Sequence, residues 1–279
     1  MTDETAQGAG AEPMVETEVA EAVAVSAAPS RNIGGKLVFA AGLGSMLVAL
    51  LGALGSGWGL WHFSVGFQAL MVSFGLAAFA VLCGLLIGWL QKRKGISGSK
   101  TFRWLGMLLG LVMVGWLLSF VYTGRSVPAI HDVSTDLADP PQFQSLALRA
   151  DNFDKIPGED EDGMKGMSPQ QRWVFIHQKA YGDIRSVRIN MPVGEVIAKA
   201  ERLAKARDWD ISAIDLEAGR LEATDTTRFF RFKDDVVIRV RATEDKTGSI
   251  VDMRSVSRVG VSDLGVNAKR VRSFLADLS

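Results

Sequence analysis

Between residues 36 and 123 the apolar positions run on over long stretches without a polar face; further along the chain they alternate with polar ones. Three stretches, at about residues 37–57, 65–90 and 104–122, contain no Asp, Glu, Lys or Arg. Roughly 20 residues cross a 30 Å hydrocarbon core as a helix, so each stretch is long enough to span, and the second, the longest, is expected to tilt. Buried helices of a soluble bundle would keep a polar face, which these lack. Trp58, Trp61, Trp89, Trp104 and Tyr122 stand at the ends of the stretches, where interfacial aromatics belong. The small-residue pairs Gly84/Gly88 and Gly106/Gly110 let backbones approach and are expected to pack the spans against one another.

From residue 172 onward the pattern is that of an independent α+β domain. Ile184 to Ile189 reads as a strand, and Pro192 opens a helix in which Val193, Val196, Ile197, Ala200, Leu203 and Ala204 share one face. Strands follow at Trp209–Ile214, Arg220–Phe232, Val236–Ala242 and Ile250–Val259, with turns at Leu216–Gly219, Lys233–Asp235 and Asp245–Gly248. A helix near Asp263–Leu278 closes the chain. Short turns between the last four strands require antiparallel neighbours. The expected fold is three transmembrane helices followed by an antiparallel sheet of about five strands, ordered β-α-β-β-β-β-α, with both helices on one face.

Charge then orients the chain. The 279 residues carry 31 Lys and Arg against 31 Asp and Glu, a balance that suggests no nucleic-acid partner. Between the second and third spans, however, Gln91 to Arg103 holds five cations and no acid. Such a loop stays on the cytoplasmic side. The N-terminus is then inside, the hairpin at Trp58–Ser64 outside, and everything after Tyr122 outside. Residues 1–35 are acidic, rich in Ala, Glu and Thr and without a cation before Arg31, which suits a disordered cytoplasmic tail and not a cleaved signal. The lone Cys83 excludes an internal disulfide and a cysteine metal site.

Residues 124–171 read as an extended connector rich in proline and acids, draped over the domain that follows. Its run Glu159–Gly163 resembles part of a calcium loop: with Gly163 at the turn, Asp160 and Asp162 fit. Gly158 and Pro169 then occupy two positions that need ligands, so a solvated loop is the expectation and no metal site is assigned.

The densest chemistry lies near the C-terminus. The stretch Arg254–Val271 (RSVSRVGVSDLGVNAKRV), the hairpin Phe232–Arg239, and His131–Asp136 with Pro140 and Pro141 resemble a bacterial family known as domain of unknown function 1499, over about residues 129–279. The resemblance implies membrane-associated or exported proteins with no established activity. Read by period two, Asp252, Arg254 and Arg258 share one face of their strand, Arg239 and Arg241 join them from the strand before, and Arg228 is expected to approach. Guanidiniums on a helix-free face could grip phosphate or carboxylate. At the adjoining corner Ser262 or Asp263 would cap the last helix, which also carries Asn267 and Arg270. The candidate anion-binding set is therefore Arg239, Arg254, Arg258, Asp263, Asn267 and Arg270. The competing expectation is a charged sheet face neutralised by Asp252, Glu222, Asp225 and Asp234.

These features point to a multi-pass protein of the bacterial inner membrane that presents a periplasmic binding or interaction module. Its expected partners are the bilayer and an envelope protein or anionic lipid or ligand. No cofactor and no catalytic residue is assigned. An envelope hydrolase or transferase using Asp263 with Arg254 or Arg258 is the second reading, and a membrane sensor the third.

Overall fold

The computed structural model describes residues 33–95 and 100–279; the N-terminal tail and the tip of the basic loop lie outside the described residues. Three helices long and apolar enough to cross a membrane come first: α1 (Ile33–Gly57), α2 (Phe63–Lys94) and α3 (Thr101–Ser126). Backbone contacts divide the chain into two compact units, one of residues 33–43 with 76–111, the other of residues 44–75 with 112–279.

In the first unit small residues set the packing. Gly42 of α1 and Gly106 of α3 face each other so closely that a Cβ on either would overlap the opposing backbone. Gly110 lies against Ala77, where a Cβ would stand 2.7 Å from the carbonyl oxygen. Val38, Ala80 and Met107 form the buried centre. α3 starts three residues before the expected span, and its Arg103 is buried, donating through Nη1 to the Gly84 carbonyl at 3.2 Å beside Gly88. The Gly84/Gly88 pair thus makes room for a guanidinium. An arginine side chain long enough to reach back along a helix escapes a reading that stops at charge-free windows.

The second unit carries the α+β domain, a six-stranded antiparallel sheet in the order β1-β6-β5-β4-β3, with β2 pairing β6 beside β1. The strands are β1 (Asp132–Ser134), β2 (Val187–Ile189), β3 (Asp210–Asp215), β4 (Arg220–Thr226), β5 (Lys233–Ala242) and β6 (Ser249–Ser257). Helices α4 (Pro169–Tyr181), α5 (Val193–Ala206) and α6 (Val266–Leu278) complete it. One sheet face, with Leu221, Val236, Ile238, Val251 and Met253, packs on Val196, Ile197 and Ala200 of α5 and Val271, Phe274 and Leu278 of α6. Trp209 stacks on Phe274 with ring centroids 5.0 Å apart. Fully burying side chains of this size gives about 1.5–3 kcal/mol each, which makes this layer the main source of the domain's stability.

Several boundaries differ from expectation. α4 replaces part of the irregular connector; its signal is the capping box in which Ser168 Oγ accepts from Gln171 N and Gln171 Oε1 accepts from Ser168 N, with Pro169 opening the helix. β4 stops at Thr226, and the expected turn at Lys233–Asp235 is the start of β5 instead. Asp234 and Asp235 stay in the strand because both are buried against arginines, an arrangement that turn statistics do not reveal. The turn itself is Thr227–Phe232, closed by Thr227 N donating to Phe232 O at 2.9 Å and by Arg231 at φ +52°. Arg228 therefore sits in a loop and not beside the sheet arginines.

Candidate functional site

Register decides which of the candidate side chains meet. Arg239 of β5 is opposite Asp252 of β6 and Arg220 of β4; Val237 is opposite Arg254 and Glu222; Ser134 of β1 is opposite Arg254. Alternation then puts Arg239, Arg254, Asp252, Glu222 and Asp235 on the face away from α5 and α6. That face is not open. The connector crosses it and is tied down by the charged groups themselves.

Arg254 is 2% exposed. Its Nε and Nη2 donate to the two carboxylate oxygens of Asp132 at 3.0 and 2.7 Å, and Nη1 donates to the Pro141 carbonyl at 3.3 Å. Asn152 Nδ2 donates to the same carboxylate at 2.6 Å. Arg239 donates to Asp252 at 3.0 Å, to the Asp139 carboxylate at 2.7 Å and to the Asp139 carbonyl at 2.8 Å; Arg241 and Ser186 also donate to Asp252. Burial pulls the Arg239 guanidinium down, but the hydrogen bonds to Asp252 and Asp139 outweigh it and its pKa is raised. Glu222, fully buried, accepts from the backbone N–H groups of Gln144, Ser145 and Leu146 at 2.7–2.9 Å. Arg258 holds Asp235 with two nitrogens, each at 2.8 Å, and that contact raises its pKa.

The remaining three candidates lie on the opposite, helix-bearing face. Arg270 of α6 reaches Asp225 at 2.8 Å and Asp234 at 2.6 Å, and also donates to Ser255 and Asn267. Asn267 is fully buried and donates to the His131 carbonyl and to Ser257 Oγ. Asp263 accepts from Gly265 N at 2.9 Å and Asn267 N at 2.7 Å, which caps α6 from outside its first residue, Val266. Burial pushes the Asp263 carboxyl up in pKa despite those two bonds. The three arginines expected on the sheet face and the three residues expected at the adjoining corner thus form two separate networks, with the sheet between them. Sequence spacing alone could not show this, because Arg270 and Asn267 approach the sheet from a helix.

The acids that complete the first network were partly legible. The sequence expectation includes Asp252 among the neutralising acids but not Asp132 or Asp235. Asp132 lies in a three-residue strand too short for a periodic signal, and Asp235 lies in the expected turn. A third polar spot surrounds His177 of α4, which is buried between Trp173 and Tyr181. Its Nε2 accepts from Ser134 N at 3.2 Å. Burial lowers its pKa to about 4 and raises that of Tyr181 to about 12. Among the described residues no three or more His, Cys, Asp and Glu side chains gather as a metal ion would need.

What this arrangement can do is hold chain to chain. Every guanidinium of the candidate set already faces at least one carboxylate, at spacings typical of charge-assisted hydrogen bonds. In comparisons with known proteins, the model of a family described as a protein of unknown function, DUF1499, matches residues 132–278. No curated protein matches the chain.

Proposed function

The chain belongs to the DUF1499 family of proteins of unknown function, and on that footing we propose that it is an inner-membrane-anchored protein presenting its α+β domain to the periplasm as a binding or interaction module. The observation that carries the orientation is the cluster Lys92, Arg93 and Lys94 at the end of α2, followed along the sequence by Lys100 and Arg103. Five cations between two apolar helices favour retention of that loop in the cytoplasm, which puts Gly57–Phe63 and everything after Ser126 on the other side.

Support for a module and not a pocketed enzyme comes from the charged side chains. Arg239, Arg254 and Arg258 join the connector and neighbouring strands into one body. An anion could enter this face only by displacing the domain's own carboxylates, chiefly Asp252, Asp132 and Asp235. Arg239, whose Asp139 partner is largely exposed, is where such an exchange would cost least.

Fusion of a periplasm-active and a cytoplasm-active reporter after Ser279 tests the orientation. Activity of the first alone is expected; strong activity of the cytoplasmic reporter there would overturn the reading.

A further inference from the structure

The loop joining β4 to β5 reads Thr-Arg-Phe-Phe-Arg-Phe over residues 227–232, an apolar and cationic tip on an otherwise well-buried hairpin. It packs on the outer turn between α1 and α2. The rings of Phe230 and Phe232 stack at 5.2 Å; Phe230 lies 5.2 Å from Phe67, and Phe232 lies 5.8 Å from Phe63, at the first turns of α2. Gly66 makes this approach feasible, since a Cβ there would stand 2.6 Å from the Phe230 ring. Gly57, the last residue of α1, touches the Phe229 carbonyl, where any side chain would collide.

Two features of the tip are not used by this packing. Phe229 is 54% exposed, next to Trp58 at 66% and Leu60 at 67% in the adjoining turn. Arg228 and Arg231 are exposed, and neither makes an ion pair or side-chain hydrogen bond among the described residues. This contrasts with the sheet arginines, all of which are matched by acids. Exposed aromatics with free guanidiniums, at the level where two apolar helices begin and end, are the composition of a membrane–water interface.

We propose that this hairpin tip is a phospholipid-contacting site. Phe229 enters the interfacial zone of the bilayer that holds α1 and α2, and Arg228 and Arg231 bind headgroup phosphates, preferring an anionic surface. Continuity with the two helices argues for lipid as the occupant. The absence of any acid from residues 227–232 argues for an anionic one. The proposal rests on the membrane-anchored reading above.

The test uses the full chain in nanodiscs, with Cys83→Ala as background and a polarity-sensitive fluorophore on a single introduced cysteine. Labels at Phe229→Cys, at Leu82→Cys on an exposed part of α2, and at Lys246→Cys in the β5–β6 turn are read for quenching by chain-brominated phospholipid. Quenching at 229 at least twofold above that at 246 is expected, stronger in phosphatidylglycerol than in phosphatidylcholine. Arg228→Gln with Arg231→Gln is expected to remove the excess seen in phosphatidylglycerol. Equal quenching at 229 and 246, with strong quenching at 82, overturns the lipid site while leaving the anchor intact. No quenching at 82 overturns the membrane reading itself. Indifference of the 229 signal to lipid charge, or an excess that survives the double substitution, overturns the phosphate contact.

Discussion

Arg254 of β6 and Asp132 of β1 form a two-point ion pair that is almost completely removed from solvent and joins residues 122 positions apart. Removing either charge leaves the other buried and unmatched, which typically costs about 3–5 kcal/mol. Arg254→Met is therefore expected to destabilise the domain by that order. Adding Asp132→Asn to it should recover part of the loss, because the residual buried carboxylate is gone. Chemical denaturation of the two variants and the parent, followed by tryptophan fluorescence, reads both effects. Equal stability of Arg254→Met and the parent would contradict the assigned role.

Glu222 gathers three consecutive backbone amides of the connector. Glu222→Ala leaves those amides without their acceptor and is expected to cost about 2–4 kcal/mol, given about 1.5–3 kcal/mol for a hydrogen bond to a charged group and shared geometry among the three. The more specific expectation is local. Limited proteolysis should cut within residues 137–150 much faster in the variant than in the parent, and unchanged cleavage there would rule out the clamp.

His177 makes stability pH-dependent with a definite sign. Its folded pKa, about 4, lies below the ordinary value of 6.5 because of burial. Above pH 6.5 both folded and unfolded chains hold it neutral. Below that, the unfolded chain takes up a proton that the folded one refuses, so stability falls as pH drops from 6.5 towards 4, by about 3 kcal/mol from this group. His177→Gln, which keeps an acceptor for Ser134 N, should lower stability at pH 7.5 yet flatten the slope between pH 6.5 and 4.5. Melting temperatures across that range measure it.

Gly106 and Gly42 meet backbone to backbone in the first unit. Gly106→Leu is expected to force α1 and α3 apart there, lowering the detergent-solubilised protein's melting temperature by several degrees. Gly115→Leu is the control, since a Cβ at Gly115 meets nothing within 4 Å. If both variants melt alike, the close approach does not matter.

How legible these arrangements were depended on the range of the interaction that creates them. The three apolar helices, α5 and the β3–β6 meander follow from local periodicity, and residues alone sufficed. The grouping of Arg239 with Asp252 was also readable, because both lie on central strands where period two fixes the face. β1 and α4 were missed for opposite reasons. The first is three residues long and exists only because β6 offers its edge to it. The second carries a clear capping box, Ser168 to Gln171, that the neighbouring acidic run obscured. Lys233–Asp235 was misread because acids at a chain reversal suggest solvent, whereas Arg258 and Arg270 bring both aspartates inside. The hairpin tip was read as strand since aromatics favour strands, and its partner surface, the start of α2, lies more than 150 residues earlier in the chain.

The short passage from α3 to β1 also has a mechanical meaning. α3 ends at Ser126 and β1 begins at Asp132, leaving five residues that span at most about 18 Å even fully stretched. Because β1 is hydrogen-bonded into the sheet beside β6, that length is a hard stop on how far the sheet's near edge can travel from the helix. The domain has no swinging arm with which to search the surrounding space. If α3 is held in a bilayer as proposed, the sheet's near edge stays within that reach of the membrane surface, and partners meet the domain there.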